Sequence, residues 1–364
     1  MRVSFFIISN NLGLGGIQTM IVNIANTLSN HRSETPIYIL LRKKRAFNSG
    51  RKIKNKNVRI VNYLDWLKIK VPLFFPSFVL YYTWKLRPKA ILAFSDAQAL
   101  PAIGSKLLLF WRGIRVVVRE DRHVSKEVSA YRFAPLRHFL IRLFYPFADV
   151  IFAPSKSRAK DLIEFYSLPK KKVKIVPNWT TLVNKKITPR QKKYDLIYVG
   201  RLAKNKNLKF LLRGVKRLIK YKKDVTLCLV GGGEEEKRLR SWVKHNNVGG
   251  NIIFIGTKYE VEDYLSRAKI FVLASKDEGA PLAILEAMAA KLPVLSYNYP
   301  GVEEIIKEGE TGFIYKNLTE FVKKTLMLLQ NSAKREKIGQ KARDCVKKHH
   351  SPDNIKIYLK ALGL

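Results

Sequence analysis

The sequence predicts an α/β protein built from two Rossmann-like, doubly wound parallel-sheet domains facing a central cleft. Three observations carry that expectation. Apolar, strand-like runs alternate with helical patterns along most of the chain, the mark of successive βαβ units. The alternation is interrupted once, by the polar, two-proline stretch 177–193, which reads as a linker. The length, 364 residues, suits about two domains, and 47% apolar residues are enough to fill their cores.

VSFFIIS (3–9) reads as a buried first strand. Its apolar run is too short for a secretory signal and lacks a small-residue cleavage site. A glycine loop follows, then a helix from about Ile17 to Leu28. PIYILL (36–41), VRIVNY (58–63), AILAFS (90–95), IRVVVR (114–119) and DVIFAPS (149–155) continue the strand series. Beyond the linker come YDLIYVG (194–200), VTLCLVGGG (225–233), NIIFIG (251–256), KIFVLAS (269–275) and LPVLSYN (292–298). The expected division is 1–180, 181–345, and a terminal helix within 346–364 placed to pack back on the first domain. No apolar stretch reaches the length of a membrane span. The nearest, 71–84, holds two prolines and reads equally as a buried helix or an interfacial segment. Tandem doubly wound domains put ligands at the carboxyl ends of their strands.

Lys and Arg total 69 against 28 Asp and Glu, a net charge of +41. Such an excess calls for an anionic partner or surface. Both halves are basic, but residues 1–180 hold only nine of the acids, and their cations interleave with aromatics, as in LLLFWRGIRVVVR (107–119) and YRFAPLRHFLIRLFYPF (131–147). Arginine among large apolar side chains suits a bilayer interface, with the stem buried and the head wet. RKKR (42–45) and KKK (170–172) arise readily by chance in so basic a chain, so a nucleic-acid partner is not expected. Two cysteines, Cys228 and Cys345, form no disulfide framework, which fits a reducing compartment.

Four segments carry chemistry. In NNLGLGGIQ (10–18), between strand and helix, Gly15 and Gly16 let backbone approach a phosphate at a helix N-terminus. In VGRLAKNKN (199–207), Arg201 and Lys206 sit at a strand's carboxyl end, a fork and a point charge suited to a diphosphate. LVGGGEEEKRLR (229–240) reads as a structural glycine turn into a helix with acids in its first turn. The most informative segment is 274–306, in which Glu278 lies in a loop and Glu286 about two turns along the next helix. Between them, Gly279, Ala280, Pro281 and Leu282 would present backbone amides at that helix's N-terminus. Carboxylates beside a cationic pair make sense for a ligand with hydroxyls as well as phosphates, because a carboxylate accepts two hydrogen bonds from a diol. Together the four side chains describe a sugar nucleotide.

GRLAKNK, the LVGGGEEE turn, EGAPLAILEAMA and PVLSYNYPGVEEII together resemble the signature of glycosyltransferase family 4, and the E-x7-E pair falls on Glu278 and Glu286. The resemblance is dense in the C-terminal domain and reaches the N-terminal one through GLGG. It implies the GT-B fold and sugar transfer from a nucleotide donor with retention, without metal or other cofactor. It further implies that Arg201 and Lys206 hold the diphosphate, with Gly15 and Gly16 facing it from the other domain. Glu278 would contact the sugar hydroxyls and Glu286 the ribose diol. VREDRHVSK (118–126) is similar to the family's N-domain segment near the reacting centre, making Glu120 and His123 catalytic candidates beside Glu278. Two departures stand out. Asn205 replaces an acid, and Asn207, in place of a glycine, is expected to cost little in a helical backbone. The basic, aromatic-rich first domain suggests a lipid-linked or lipopolysaccharide acceptor and attachment to the anionic inner face of the cytoplasmic membrane. UDP is the favoured donor base. A sugar-nucleotide epimerase on the same fold is the rival enzyme, and a nucleic-acid-binding protein the rival from another class.

Overall fold

The computed structural model describes residues 4–13, 15–42, 53, 55–63, 74–131, 133–187 and 190–364. They form two compact units. The first runs to Asn178 and regains Pro352–Leu364; the second is Trp179–Ser351.

The first unit contains β1 (Ser4–Ser9), α1 (Gly16–His31), β2 (Ile37–Leu41), β3 (Val58–Asn62) and α2 (Phe75–Leu86). It continues with β4 (Pro88–Phe94), α3 (Asp96–Leu108), β5 (Arg115–Arg119), α4 (Val124–Ser129) and α5 (Ala134–Phe144). It ends with β6 (Val150–Ala153), α6 (Lys156–Lys160), β7 (Val173–Ile175) and the terminal helix Ile355–Leu362. The seven strands are parallel in the order β3-β2-β1-β4-β5-β6-β7. A sheet covered on both faces needs strands that are apolar throughout. Phe6, Ile8, Ile91, Ala93, Val116, Val118 and Ile151 point to one face, into a core closed by α2, α3, α4 and α5. Side chains of the alternate residues point the other way, where Phe152 meets Tyr358 of the terminal helix edge-on at 4.8 Å. That helix is held electrostatically too. Arg119, fully buried at the end of β5, donates to Asp121 at 2.9 Å and also to Asn178 and the Tyr358 hydroxyl. Burial alone would weaken the guanidinium charge, but Asp121 and Tyr358 outweigh it and leave the pKa raised.

The second unit contains β8 (Tyr194–Val199), α7 (Leu208–Leu218), β9 (Leu227–Val230), α8 (Glu236–His245), β10 (Ile252–Gly256) and α9 (Glu262–Ser266). There follow β11 (Ala268–Leu273), α10 (Leu282–Ala289), β12 (Val294–Tyr297), β13 (Gly312–Tyr315), α11 (Leu318–Gln330) and α12 (Ser332–His349). Its six strands are parallel in the order β10-β9-β8-β11-β12-β13. α7 shows why these segments are helical: Leu208, Leu211, Leu212, Val215 and Leu218 form one buried stripe, with lysines and arginines opposite.

Several expectations change. β7 and β13 were not anticipated. Each is three or four residues long, and β7 lies among lysines, so neither offers a full period-two pattern. The supposed linker is partly core: Trp179, Leu182 and Val183 are buried, and Thr181–Asn184 is a 3-10 turn. Residue 346 lies inside α12, and the chain leaves the second unit only after Ser351. Of the 71–84 segment, 71–73 lie outside the described residues. The remainder is both things at once, with Phe75, Phe78 and Val79 in the core and Phe74, Tyr81 and Trp84 exposed. Both cysteines are free, and burial pushes the Cys228 thiol up to about 12.

The loops at the carboxyl end of the second sheet are packed backbone to backbone. Gly231, at φ 144°, lies so close to the β8 loop that a Cβ there would stand 1.9 Å from the Gly200 carbonyl oxygen. Gly231→Ala should therefore lower stability by about 1–3 kcal/mol, read as a fall in the urea midpoint. Gly249→Ala, where an added Cβ meets nothing within 4 Å, should leave it nearly unchanged.

Candidate active site

In a doubly wound sheet a ligand crevice opens where the strand order reverses, because neighbouring connections there run to opposite faces. In the second unit that place is between β8 and β11. The β8 loop carries Arg201 and Lys206, and the β11 loop carries Glu278. The two loops are joined twice. Lys206 Nζ donates to Glu278 Oε1 at 2.6 Å, with both side chains largely buried. Asn207 Nδ2 donates to the Ala274 carbonyl at 3.3 Å. Asn207 is in the left-handed region, φ 51°, not helical as expected. Asparagine tolerates that conformation better than other non-glycine residues, and its side chain adds the tether. Asn205 is exposed in the Lys204–Lys206 turn.

Arg201 is exposed, while its carbonyl accepts a hydrogen bond from the buried Tyr198 hydroxyl at 3.0 Å. The glycine turn braces this loop from the other side: Leu202 N–H donates to the Gly232 carbonyl and Glu235 N–H to the Leu202 carbonyl, both at 3.0 Å. That is the structural part assigned to the turn by its sequence. α10 starts after Pro281, with no side chain capping its first turn. Gly279, Ala280 and Leu282 can offer N–H groups there, whereas Pro281 has none. Glu286 is buried on α10, on the same face as Leu282 one turn earlier. A cavity of about 310 Å³ adjoins the loops and is lined in part by Lys209, Arg213, Lys276 and Lys316. Among the described residues none of these four makes an ion pair, so the surroundings are strongly positive.

In the first unit the corresponding reversal lies between β1 and β4. The loop after β1 is shaped by Asn11, whose Oδ1 accepts from Gly13 N–H at 3.0 Å and from Gln18 Nε2 at 3.3 Å. α1 then starts at Gly16 with Gly15 as its cap and no side chain bonded to its first amides. Gly15 and Gly16 are both exposed. Beyond β5, Glu120 and His123 part company. Glu120 is only 3% exposed and accepts a hydrogen bond from the Tyr145 hydroxyl. Burial, with Asp96 near, drives its pKa well above the usual range, although the Tyr145 bond opposes this. Burial thus favours its protonated form. His123 caps α4 with Nδ1 3.9 Å from Asp161, and its Nε2 is buried with no hydrogen-bond partner among the described residues. Burial raises the Asp161 pKa, but the nearby His123 and hydrogen bonds from Ser125 prevail and leave it lowered. Asp161 and Tyr145 were missed from the sequence. Each lies some 25 to 40 residues from its partner in unremarkable surroundings, and no local pattern could have found them. Among the described residues, no three His, Cys, Asp or Glu gather as metal ligands would.

The two doubly wound units are those of the GT-B fold, and comparison with known proteins makes the chain a glycosyltransferase. The chain belongs to the glycosyl transferases group 1 and glycosyltransferase family 4: the model for the former matches residues 181–344 and that for the latter residues 14–182. An uncharacterized glycosyltransferase of Haemophilus influenzae is 26% identical over 91% of both chains. The N-acetylgalactosamine-N,N'-diacetylbacillosaminyl-diphospho-undecaprenol 4-alpha-N-acetylgalactosaminyltransferase of Campylobacter jejuni is 29% identical over 57% of each. Among solved structures, Anabaena HepE in complex with UDP and glucose superimposes with a TM-score of 0.81 over the full length of both chains, at 16% identity.

The raised Glu120 pKa has a definite consequence for stability. Below the ordinary glutamate value of 4.5 the carboxyl is protonated in both the folded and unfolded chain and contributes nothing. As pH rises past it, the unfolded chain ionises while the folded one stays neutral, so folding is increasingly penalised. Glu120→Gln should thus match the wild type in urea midpoint at low pH and surpass it progressively toward neutrality. Parallel curves across the range would contradict a raised Glu120 pKa.

Proposed function

We propose that this enzyme is a retaining glycosyltransferase that moves a hexose or N-acetylhexosamine from a nucleoside-diphosphate sugar, with UDP favoured, to a lipid-linked glycan. It would act at the inner face of the cytoplasmic membrane, in the assembly of cell-surface polysaccharide or lipopolysaccharide. The observation that carries the donor half is the joining of Lys206 to Glu278 across the β8–β11 reversal, beside Arg201. A diphosphate needs cations and N–H dipoles. Arg201, Lys206 and the α10 N-terminus supply them, so its charge can be offset without a metal ion. Hexose hydroxyls need acceptors, which is the part of Glu278. Glu286 takes the ribose diol.

In the first unit, the Gly15 and Gly16 amides suit phosphate. His123, oriented by Asp161, is the group to act on the sugar or acceptor. Glu120 supports that segment from the core through Tyr145. The acceptor half is supported by the Campylobacter relative, whose name gives an undecaprenol-diphosphate acceptor, and by the cationic, aromatic first unit.

Thermal unfolding with UDP, GDP, ADP and CMP tests the donor site. Saturation at about 100 times the dissociation constant adds about 2.7 kcal/mol, so one nucleoside diphosphate should raise the melting temperature, and Glu286→Ala should abolish the rise. No shift with any nucleotide would overturn the donor assignment. With a turnover assay in hand, Arg201→Ala and Lys206→Ala should each lower kcat/KM by about a hundredfold, as expected for loss of a charge-stabilising group. The anomeric configuration of the product, read by NMR, decides retention.

A further inference from the structure

The water-facing side of α5 is apolar, the reverse of an ordinary surface helix. Pro135, Leu136, Phe139 and Leu143 fall within one arc of the helix together with Arg142, and all five are exposed, Phe139 at 59% and Leu136 at 57%. The opposite side holds the buried Ile141 and Arg137, whose guanidinium pairs with Asp96. Neither propensity nor packing explains an outward Phe–Leu stripe. A second exposed cluster lies at the end of α3, where Phe110 is 76% and Trp111 64% exposed. Hydrogen bonds tie α3 and its end to the neighbouring elements. Lys106 of α3 donates to the Phe147 carbonyl just beyond α5 at 3.0 Å, and Arg112 bonds the carbonyl of Trp84, itself exposed, at the end of α2. Clustered exposed apolar residues of this kind mark an interaction site, whereas scattered single residues do not.

We infer that this surface, α5 with the 108–112 corner, is a membrane-docking face whose occupant is an anionic lipid bilayer. Charge selects the occupant. The cations that border the apolar residues, Lys85, Arg112 and Arg142, make no ion pair among the described residues. α5 itself carries no acid. A second copy of so cationic a chain would bring like charges together, while an anionic leaflet offers about 1 kcal/mol per cation and an apolar interior for Phe and Leu. Tryptophan at such an edge suits the headgroup level. The inference rests on the lipid-linked acceptor proposed above and gives it a surface, but the two are separable by experiment.

Binding of the full chain to vesicles of phosphatidylcholine, with and without phosphatidylglycerol, is the test. Two double variants are compared with the wild type, Leu136→Ser with Phe139→Ser, and Phe110→Ser with Trp111→Ser. Their folding is checked by the nucleotide-induced melting shift. The wild type should bind phosphatidylglycerol vesicles, salt should weaken the binding, and each double variant should reduce it by about tenfold or more. Absence of binding, or variants equal to the wild type, would overturn the docking face. So would a wild-type dimer in sedimentation that the variants dissociate, which would make a second copy the occupant. Failure on vesicles with an intact nucleotide shift removes the docking face and leaves the donor reading standing. Vesicle binding without any nucleotide shift does the opposite.

Discussion

All strands in each sheet run the same way, and that constraint organises everything else. Parallel strands place every β-to-α loop of a sheet on one edge. Winding in two directions from β8 and β11 then leaves a gap between the loops that follow those two strands. Lys206 and Glu278 are 72 residues apart and meet at 2.6 Å only because β8 and β11 are direct neighbours. The same rule puts Gly15 and Gly16 at the reversal of the first sheet and Glu120 and His123 one loop further on, after β5. The backbone contact of Gly231 with Gly200 tightens the edge, so the cationic loop is supported from below by main chain and not by adaptable side chains.

Much of this could be read from residues alone, and the limits have physical causes. Strands buried in a sheet are largely continuous apolar runs, so eleven of the thirteen strands among the described residues are visible as VSFFIIS, YDLIYVG, KIFVLAS and their like. β7 and β13 escape because three or four residues hold too little pattern. The donor-side residues are legible because loops at one sheet edge carry compact motifs: a cation pair within six residues, two glutamates flanking a helix start. The first unit's chemistry is less legible because it depends on tertiary neighbours. Glu120 looks like any acid in VREDRH, yet burial in the core, with Asp96 near, raises its pKa against the opposing Tyr145 bond. His123 looks like a loop histidine until α6 runs into Asp161 beside it.

The charge of the chain is distributed with some economy. With 69 cations against 28 acids, most cations have no acid available to them. The acids that are present go largely to structural tasks, such as Asp121 on Arg119 and Asp149 on Lys106. Among the cations unpaired within the described residues, Lys85, Arg112 and Arg142 border the apolar face of the first unit, and Lys209, Arg213, Lys276 and Lys316 line the cavity beside the β8 loop in the second. Exposed ion pairs contribute little to stability in any case, so leaving those cations unpaired sacrifices little folding free energy while it keeps a field available to anionic ligands and lipids.

The Lys206–Glu278 pair also bears on donor discrimination. Both side chains are mostly buried, and each satisfies the other. On the proposed reading, a ligand that offers only phosphates engages Lys206 but leaves Glu278 with a weakened partner in a desolvated place, and an unsatisfied buried acceptor costs about 1–3 kcal/mol. A sugar nucleotide replaces both halves at once, phosphate for the lysine and hydroxyls for the glutamate. The pair then works as a comparison between ligands: a nucleoside diphosphate without its sugar forfeits what the complete donor regains. The enzyme would in this way favour donor over spent nucleotide through the same contact that holds its two loops together.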